Sequence, residues 1–504
     1  MEMKKISLLV ASSLLILTAC NSTQGIDQKG ANVFPSSAME DSLSITMGDV
    51  MPFYDDGVMN IYHLRNTTGS NSLFYHPIAR LTTSDFIHYK DEGVVIDYVE
   101  SVTSPDAALG TGSFIKDANG KYHCFYTGHN SAGTDPDLGK DRLPHVEVVR
   151  HATSDDQITW IKDEEFNLYG YEDDFRDPYV YFDSIDNLYY MLITSRDFGK
   201  AVIRRYSSPS LSVGHNDWSF VDNFFTNDEG SYNMECPSYV ELNGKYYLAY
   251  SEQGDNRVTH YRYKDSHDGE WKRFSRDAID ASGFYAGRLE KAGDKLYAFA
   301  WCARLTGGNT GTFDWAGNLV THEIRQGENG ELFPVMSKTY KDYFVNEVKY
   351  PNNKEEDIKV YAFDGTKFAS TSLKKLSTNV TRMSFKIKPH GDSGDFGLTF
   401  GVDNQYDNRL GSGIVAFDLS NNKLVSFNNV SNIIRYGSEL AHINYVFNAD
   451  QQYQVDVIVA GEVISVYLNN EIALTSRLMD MEGYSFGFYS NKAKAEIKEV
   501  TFYE

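Results

Sequence analysis

Five times between residues 56 and 299 a turn-forming pair is followed at once by an aromatic strand, and this recurrence limits the possible folds more than any other feature of the chain. The copies are Asp56-Gly57-Val58-Met59-Asn60-Ile61-Tyr62, Asn119-Gly120-Lys121-Tyr122-His123-Cys124-Phe125-Tyr126 and Asp186-Asn187-Leu188-Tyr189-Tyr190-Met191-Leu192. Asn243-Gly244-Lys245-Tyr246-Tyr247-Leu248-Ala249-Tyr250 and Ala292-Gly293-Asp294-Lys295-Leu296-Tyr297-Ala298-Phe299 complete the set. Turn positions 57, 120, 187, 244 and 293 lie 63, 67, 57 and 49 residues apart. A quasi-repeat of that length holds a four-stranded antiparallel sheet and its loops, so five copies predict a five-bladed β-propeller over residues 43–340.

Helical periodicity is nearly absent from that stretch, and 35 tyrosines and 30 phenylalanines among 504 residues favour strands and stacking surfaces. A polar, charged run around Tyr350-Pro351-Asn352-Asn353-Lys354-Glu355-Glu356-Asp357 predicts a linker over 341–357. Beyond it, alternation in Arg382–Lys388, Tyr453–Val459, Val463–Leu468 and Ala495–Val500 predicts a C-terminal β-sandwich over 358–504, so the fold class is all-β. The formal charge of −23 repels phosphate backbones and speaks against nucleic acid as a partner.

Lys4 and Lys5 precede an apolar run from Ile6 to Leu17 that ends in Thr18-Ala19-Cys20. That is the layout of a secretory signal, too short to stay in a bilayer as a span. A cysteine directly after Leu17-Thr18-Ala19 resembles a bacterial lipobox, which implies a signal peptide at 1–19, lipidation of Cys20 and a polar tether over 20–42. The expected location is the bacterial cell surface, exported and held by lipid alone. Cys124, Cys236 and Cys302 remain, an odd number at wide spacing that fits neither a disulfide framework nor a metal-ligand pattern.

In each repeat the residues before the turn belong to the preceding strand, which in a propeller lines the axis. These strands contain Gly48-Asp49-Val50, Gly110-Thr111-Gly112-Ser113-Phe114, Arg176-Asp177-Pro178, Glu235-Cys236-Pro237 and Gly283-Phe284-Tyr285-Ala286. Asp49, Asp177 and Glu235 therefore converge, at matching places on separate blades. Crowded acids raise one another's pKa, and such a cluster either binds a cation or carries acid–base and nucleophilic chemistry. No compact oxygen-rich loop of the calcium kind is present, so no metal is expected. Glycoside cleavage needs a carboxylic acid on the leaving oxygen and a carboxylate across the anomeric carbon. The apolar setting of Glu235 between Met234 and Cys236-Pro237 suits the acid, and Arg176 can hold Asp177 ionised or share a sugar hydroxyl with it.

Phe175-Arg176-Asp177-Pro178, Met234-Glu235-Cys236-Pro237 and Gly110-Thr111-Gly112-Ser113 resemble motifs of glycoside hydrolase family 32, the invertases, inulinases and levanases. Asp280-Ala281-Ser282-Gly283-Phe284-Tyr285-Ala286 and Trp315-Ala316-Gly317-Asn318-Leu319 resemble two further segments of that family in the same order. The resemblance implies a retaining hydrolase of β-fructosidic bonds in fructans, fructo-oligosaccharides or sucrose, without a cofactor. By it Asp49 is the nucleophile, Glu235 the acid/base and Asp177 the transition-state stabiliser. Gly48, Ser113, Phe114, Arg176, Cys236, Tyr285 and Trp301 are then expected around the sugar.

One departure stands out. The family's nucleophile motif is Trp-Met-Asn-Asp-Pro-Asn-Gly, whereas this chain has Thr46-Met47-Gly48-Asp49-Val50-Met51-Pro52. An indole and an amide are missing beside the nucleophile, which should change the glycan that fits. Two other readings stay open at this point: an inverting propeller glycosidase acting on arabinan- or xylan-type glycans, and a non-catalytic surface glycan-binding lipoprotein.

Overall fold

A computed structural model describes residues 31–37, 45–67, 73–171, 174–212, 214–227, 230–254, 257–306, 312–348, 360–366, 368–372, 380–400, 413–429, 436–478 and 486–504. Cys20 and the signal segment lie outside the described residues. The described chain is nearly all antiparallel strand, relieved by a few 3-10 turns and the short α-helix Lys338–Tyr343.

The first sheet consists of Ile45–Asp55, Val58–Thr67, Ile78–Thr83 and Lys90–Ile96. The second runs Ala108–Lys116, Tyr122–His129, Glu147–Ser154 and Ile161–Lys162. Phe175–Asp183, Leu188–Asp197, Lys200–Ser208 and Ser219–Thr226 make the third. Asn233–Leu242, Lys245–Gln253 and Thr259–Lys264 make the fourth. Tyr285–Ala292, Lys295–Thr306, Thr312–Gln326 and Leu332–Val335 make the fifth. Tight hairpins join the first two strands of each sheet where the repeat predicts turns. At Asp56-Gly57 both φ angles are positive (46° and 84°), as at Asn243-Gly244 (50° and 80°), which is why Asp or Asn precedes Gly there.

The five leading strands pack in cyclic order, each on the next and the fifth back on the first. Met47 pairs with Gly317 across that last seam, so the first and fifth sheets share hydrogen bonds. Every leading strand also carries one residue more than its partner. The register steps from Gly48 to Met51, Gly110 to Gly112, Arg176 to Tyr179, Glu235 to Ser238 and Tyr285 to Arg288 while the neighbouring strand advances one position fewer. These are β-bulges, at the same height in all five sheets.

The remaining strands form two six-stranded sheets with one apolar cluster drawn from both, including Phe385, Leu398, Val457 and Phe488. Alternating burial along Val380–Pro389 matches its alternating sequence. Two stretches depart from expectation. Ala31, Val33 and Phe34 are buried in the core of the first body, and Leu319 N donates to Pro35 O, so residues 31–37 are packed chain rather than tether. The expected linker at 341–357 begins inside the helix, where Tyr340 and Phe344 are buried and the Tyr340 hydroxyl donates to Val33 O. The polar run 350–357 that suggests the linker lies outside the described residues.

A buried polar chain ties the two bodies together. Asp280 and His322 are paired at 2.8 Å with no exposure, and the other His322 ring nitrogen meets the Tyr467 hydroxyl at 2.9 Å. Asp280 Oδ1 also accepts from Thr475 N, on the far side of the junction. A Cβ on Gly283 would stand 2.0 Å from Thr475 O, so glycine is required by that close approach. Gly283→Ala is expected to lower stability by about 1–3 kcal/mol, as overpacking does. Calorimetry checks this: the variant should lose cooperativity between the two bodies, and an unchanged melting profile would contradict the contact's role.

Candidate active site

The bulges place acids where a regular strand would not. Asp49 and Asp177 sit within theirs at φ 31° and 59°, and Cys236 and Ala286 take φ 54° and 55° at corresponding places. Left-handed backbone in non-glycine residues costs about 1–3 kcal/mol each and concentrates at functional sites. Registers show that Glu235 precedes its bulge by one residue, so it corresponds to Arg176 and Cys236 corresponds to Asp177. The three acids are thus not at one identical position, as the repeat implied, because the extra residue falls just after Glu235.

All three nevertheless line one open cavity of about 270 Å³. Asp49 Oδ1 accepts from Trp301 Nε1 at 3.0 Å. Asp177 Oδ2 accepts from Cys236 N at 2.9 Å and from the Thr194 hydroxyl at 3.3 Å. Glu235 accepts from Arg176 Nη2 at 3.0 Å through one oxygen and from the Tyr285 hydroxyl through the other. Arg176 also reaches Asp174 at 2.7 Å and Glu147 at 3.4 Å, and comes within 4.0 Å of Asp177. Burial and the neighbouring charges of Asp177 and Glu235 push Asp49 up to about 7. Burial likewise lifts Asp177 to about 6, against the pull of Arg176. Burial also opposes a charged Arg176, yet Glu147, Asp177 and Glu235 around it hold its guanidinium well above its ordinary value. Burial, then Asp177 and Asp49, keep the Cys236 thiol far above its usual range.

The other predicted residues divide. Arg176, Cys236 and Tyr285 line the cavity. Trp301 is 1% exposed and stands behind Asp49, acting through its indole N–H rather than as a wall. Gly48 lies beneath Trp315. Ser113 and Phe114 do not line the cavity. The Ser113 hydroxyl accepts from Val180 N at 2.8 Å, and Phe114 stacks on Tyr62 in an apolar cluster. They lie beyond the bulge at Thr111, which changes the face each later residue presents.

Several lining groups escaped the motif reading. Arg257, from the loop before Thr259–Lys264, stacks over the Tyr285 ring at 4.4 Å. Trp315 and His76 stack on each other at 4.2 Å and line the opposite side. Burial, then His129, push His76 down to about 4. Glu147 braces both the Phe175 backbone and Arg176, and despite burial its carboxyl is held below the usual range by His129 and Arg176. Arg288, 1% exposed and one bulge below Tyr285, has no hydrogen-bond partner for its guanidinium among the described residues. Asp174 stands just before the strand, two residues ahead of the Arg176 it pairs with. Trp315 lies in a quoted motif, but nothing local ties it to Gly48.

Asp183, Asp186 and His267 present ligand atoms within 4.8 Å of one another outside this cavity. His267 is already paired with Asp183 at 2.8 Å and Asp268 at 2.7 Å, and Asp186 accepts from Tyr190 at 2.7 Å. Hydrogen bonding accounts for that group without an ion.

Comparison with known proteins points the same way as the geometry. Residues 51–326, just over half of the chain, match the family model for the glycosyl hydrolases family 32 N-terminal domain. A levanbiose-producing levanase of Bacillus subtilis (strain 168) is 26% identical over 315 residues, 55% of this chain and 53% of that protein. The corresponding Geobacillus stearothermophilus levanase is also 26% identical over 315 residues, covering 69% of its length. The chain therefore spans about half the length of the first of these curated relatives. Among solved structures, an exo-inulinase from Aspergillus awamori shares the fold with a TM-score of 0.68 at 14% identity, covering 93% of this chain and 98% of that one. With more than half of its length matched to the family model, the chain belongs to glycosyl hydrolase family 32.

Proposed function

We propose that this chain is a retaining glycoside hydrolase of β-fructosidic bonds in fructans, fructo-oligosaccharides or sucrose. Its site lies on a five-bladed β-propeller over residues 43–340, with a C-terminal β-sandwich over 358–504. One observation carries the reading: Asp49, Asp177 and Glu235 open into a single cavity, with Arg176 bonded to Glu235 and close to Asp177. The cyclic packing of five bulged strands supports the propeller, and family membership supports the chemistry.

In this mechanism Asp49 attacks in its ionised form: the carboxylate, available once its raised pKa is passed, bonds to the anomeric carbon of the fructosyl unit and forms an ester as the glycosidic bond breaks. Glu235 gives its proton to the departing oxygen, then takes one from the water that cleaves the ester and regenerates Asp49. Asp177 and Arg176 grip hydroxyls of the same sugar, and the Asp177 carboxylate steadies the positive charge that develops at its ring. Trp301 Nε1 fixes the attacking oxygen of Asp49. Tyr285 holds the Glu235 carboxyl, and Arg257 holds the Tyr285 ring. Export and lipid anchoring through Cys20 complete the proposal, on the strength of Leu17-Thr18-Ala19-Cys20.

Reducing-sugar release from levan, inulin and sucrose tests the activity. Asp49→Asn and Glu235→Gln should each lower kcat on the order of 10³-fold with folding intact. Product NMR should show retained anomeric configuration at first release, whereas inverted product or undiminished turnover in Asp49→Asn would refute the assignment.

Stability should carry the imprint of the same acids. Asp49 ordinarily titrates at 3.8 but holds its proton to about 7 in the fold. Its contribution is complete below about pH 4 and lost as pH rises toward 7, because the unfolded chain has by then released the proton. Replacing Asp49 with Asn removes that loss. The Tm of the variant minus that of the parent should therefore grow between pH 4 and pH 8; a flat or falling difference would contradict a raised Asp49.

A further inference from the structure

Gly48 has no backbone reason to be glycine. It lies in the strand Ile45–Asp55 paired with Leu64, and its φ is not among the positive values of the chain. Its requirement is spatial. A Cβ built there would fall 2.2 Å from both Cη2 and Cζ2 of Trp315 and 2.9 Å from Cε2, closer than a side chain can approach.

The indole cannot easily yield. His76 stacks on it at 4.2 Å with 27° between the rings, and Trp301, itself bonded to Asp49, lies against it at 6.2 Å. Thr46 offers no substitute wall, because it is 7% exposed and its hydroxyl accepts from Asn66 Nδ2 at 3.1 Å. The side-chain volume beside the nucleophile is therefore filled from the strand Thr312–Gln326, more than 260 residues further along the chain.

We propose that Trp315 is the specificity-determining residue of this cavity. Its indole takes the place of a side chain at position 48 and presents an aromatic face to the sugar held at Asp49. The ligand class is a terminal ketofuranoside whose C–H surface packs on that face, where a side chain at 48 could have offered a hydrogen bond. An apolar wall discriminates by shape and by only about 10–200-fold per methylene, whereas a polar wall that bonds a hydroxyl rejects a sugar lacking it far more strongly. Gly48 and Trp315 thus form one unit, and changing either alone leaves a clash or a void.

The inference rests on the fructosidase reading for its substrate, but its steric half stands alone, and a double-mutant cycle separates the two. Parent, Gly48→Asn, Trp315→Ala and the double variant are compared by thermal unfolding without ligand and by kcat and KM on levan, inulin and sucrose. Gly48→Asn should lower Tm and reduce kcat/KM by about 100-fold or more. Trp315→Ala should raise KM about tenfold with a smaller change in kcat, as loss of a stacking face does. The double variant should recover Tm relative to Gly48→Asn, regain about tenfold or more in kcat/KM and rank the three substrates in a new order, because contacting residues are not additive. Additive Tm changes, or a Gly48→Asn protein that melts and turns over like the parent, overturn the proposal. Coupled Tm values in a parent that releases no fructose from any substrate would uphold the packing and sink the fructosidase reading instead. Coupled Tm values with turnover but an unchanged substrate order would overturn the specificity role.

Discussion

One extra residue in each of five leading strands is the constraint on which the rest of the site depends. A regular strand at that height turns alternate side chains to its two faces and has no means of aiming consecutive residues into one space. The bulge breaks the alternation once per sheet, at the same level, so Asp49, Arg176-Asp177, Glu235-Cys236 and Tyr285 all face a common cavity. Cyclic packing of these strands makes the five irregularities mutually supporting. Two of the left-handed residues are held by the sheet before them: Cys236 N donates to Asp177, and Asp177 N donates to Thr127. Local strain is stored where long-range contacts can hold it.

Those contacts reach into the second body. Asp280 lies between His322 and Thr475, and the segment it anchors runs through Gly283 into Tyr285, which donates to Glu235. The two six-stranded sheets therefore do more than shelter an apolar edge. Through Thr475 and Tyr467 they fix the entry of the fifth leading strand, and with it the hydroxyl bonded to the Glu235 carboxyl. A cavity braced from both bodies gives a physical reason for their association.

The recurrent turns were legible because hairpins of the Asp-Gly and Asn-Gly kind are set by local dihedral chemistry, and the equivalence of the leading strands followed from counting back from them. Arg176-Asp177 and Glu235-Cys236 were legible for the same reason. What local pattern could not supply was the face. Ser113 and Phe114 share a motif with the cavity-lining Gly110 and Thr111, yet the bulge between them turns one to the Val180 backbone and the other onto Tyr62. Arg257 and His76 come from loops without strand periodicity, so no spacing rule points to them. The packed segment 31–37 shows the complementary failure: polar composition suggested a tether, while a few buried aromatics and aliphatics decided the packing.

Charge balance bears on the substrate proposed for this cavity. Asp49, Asp177, Glu235, Glu147 and Asp174 face or brace it, against the guanidiniums of Arg176, Arg257 and Arg288. A ligand bearing phosphate would meet this excess of acid, and the −23 charge of the whole chain adds to the repulsion. A neutral polyol pays no such penalty and finds donors and acceptors on several sides. In the proposed mechanism the anomeric carbon gains positive charge as the bond breaks; the same excess of acid then becomes favourable, in a partly desolvated cavity where charge interactions are strong. Burial, with the neighbouring acids, holds Asp49 and Asp177 above the ordinary carboxylate range; in the proposed mechanism positive charge developing beside them favours their ionised forms, so that attraction strengthens only as the bond breaks.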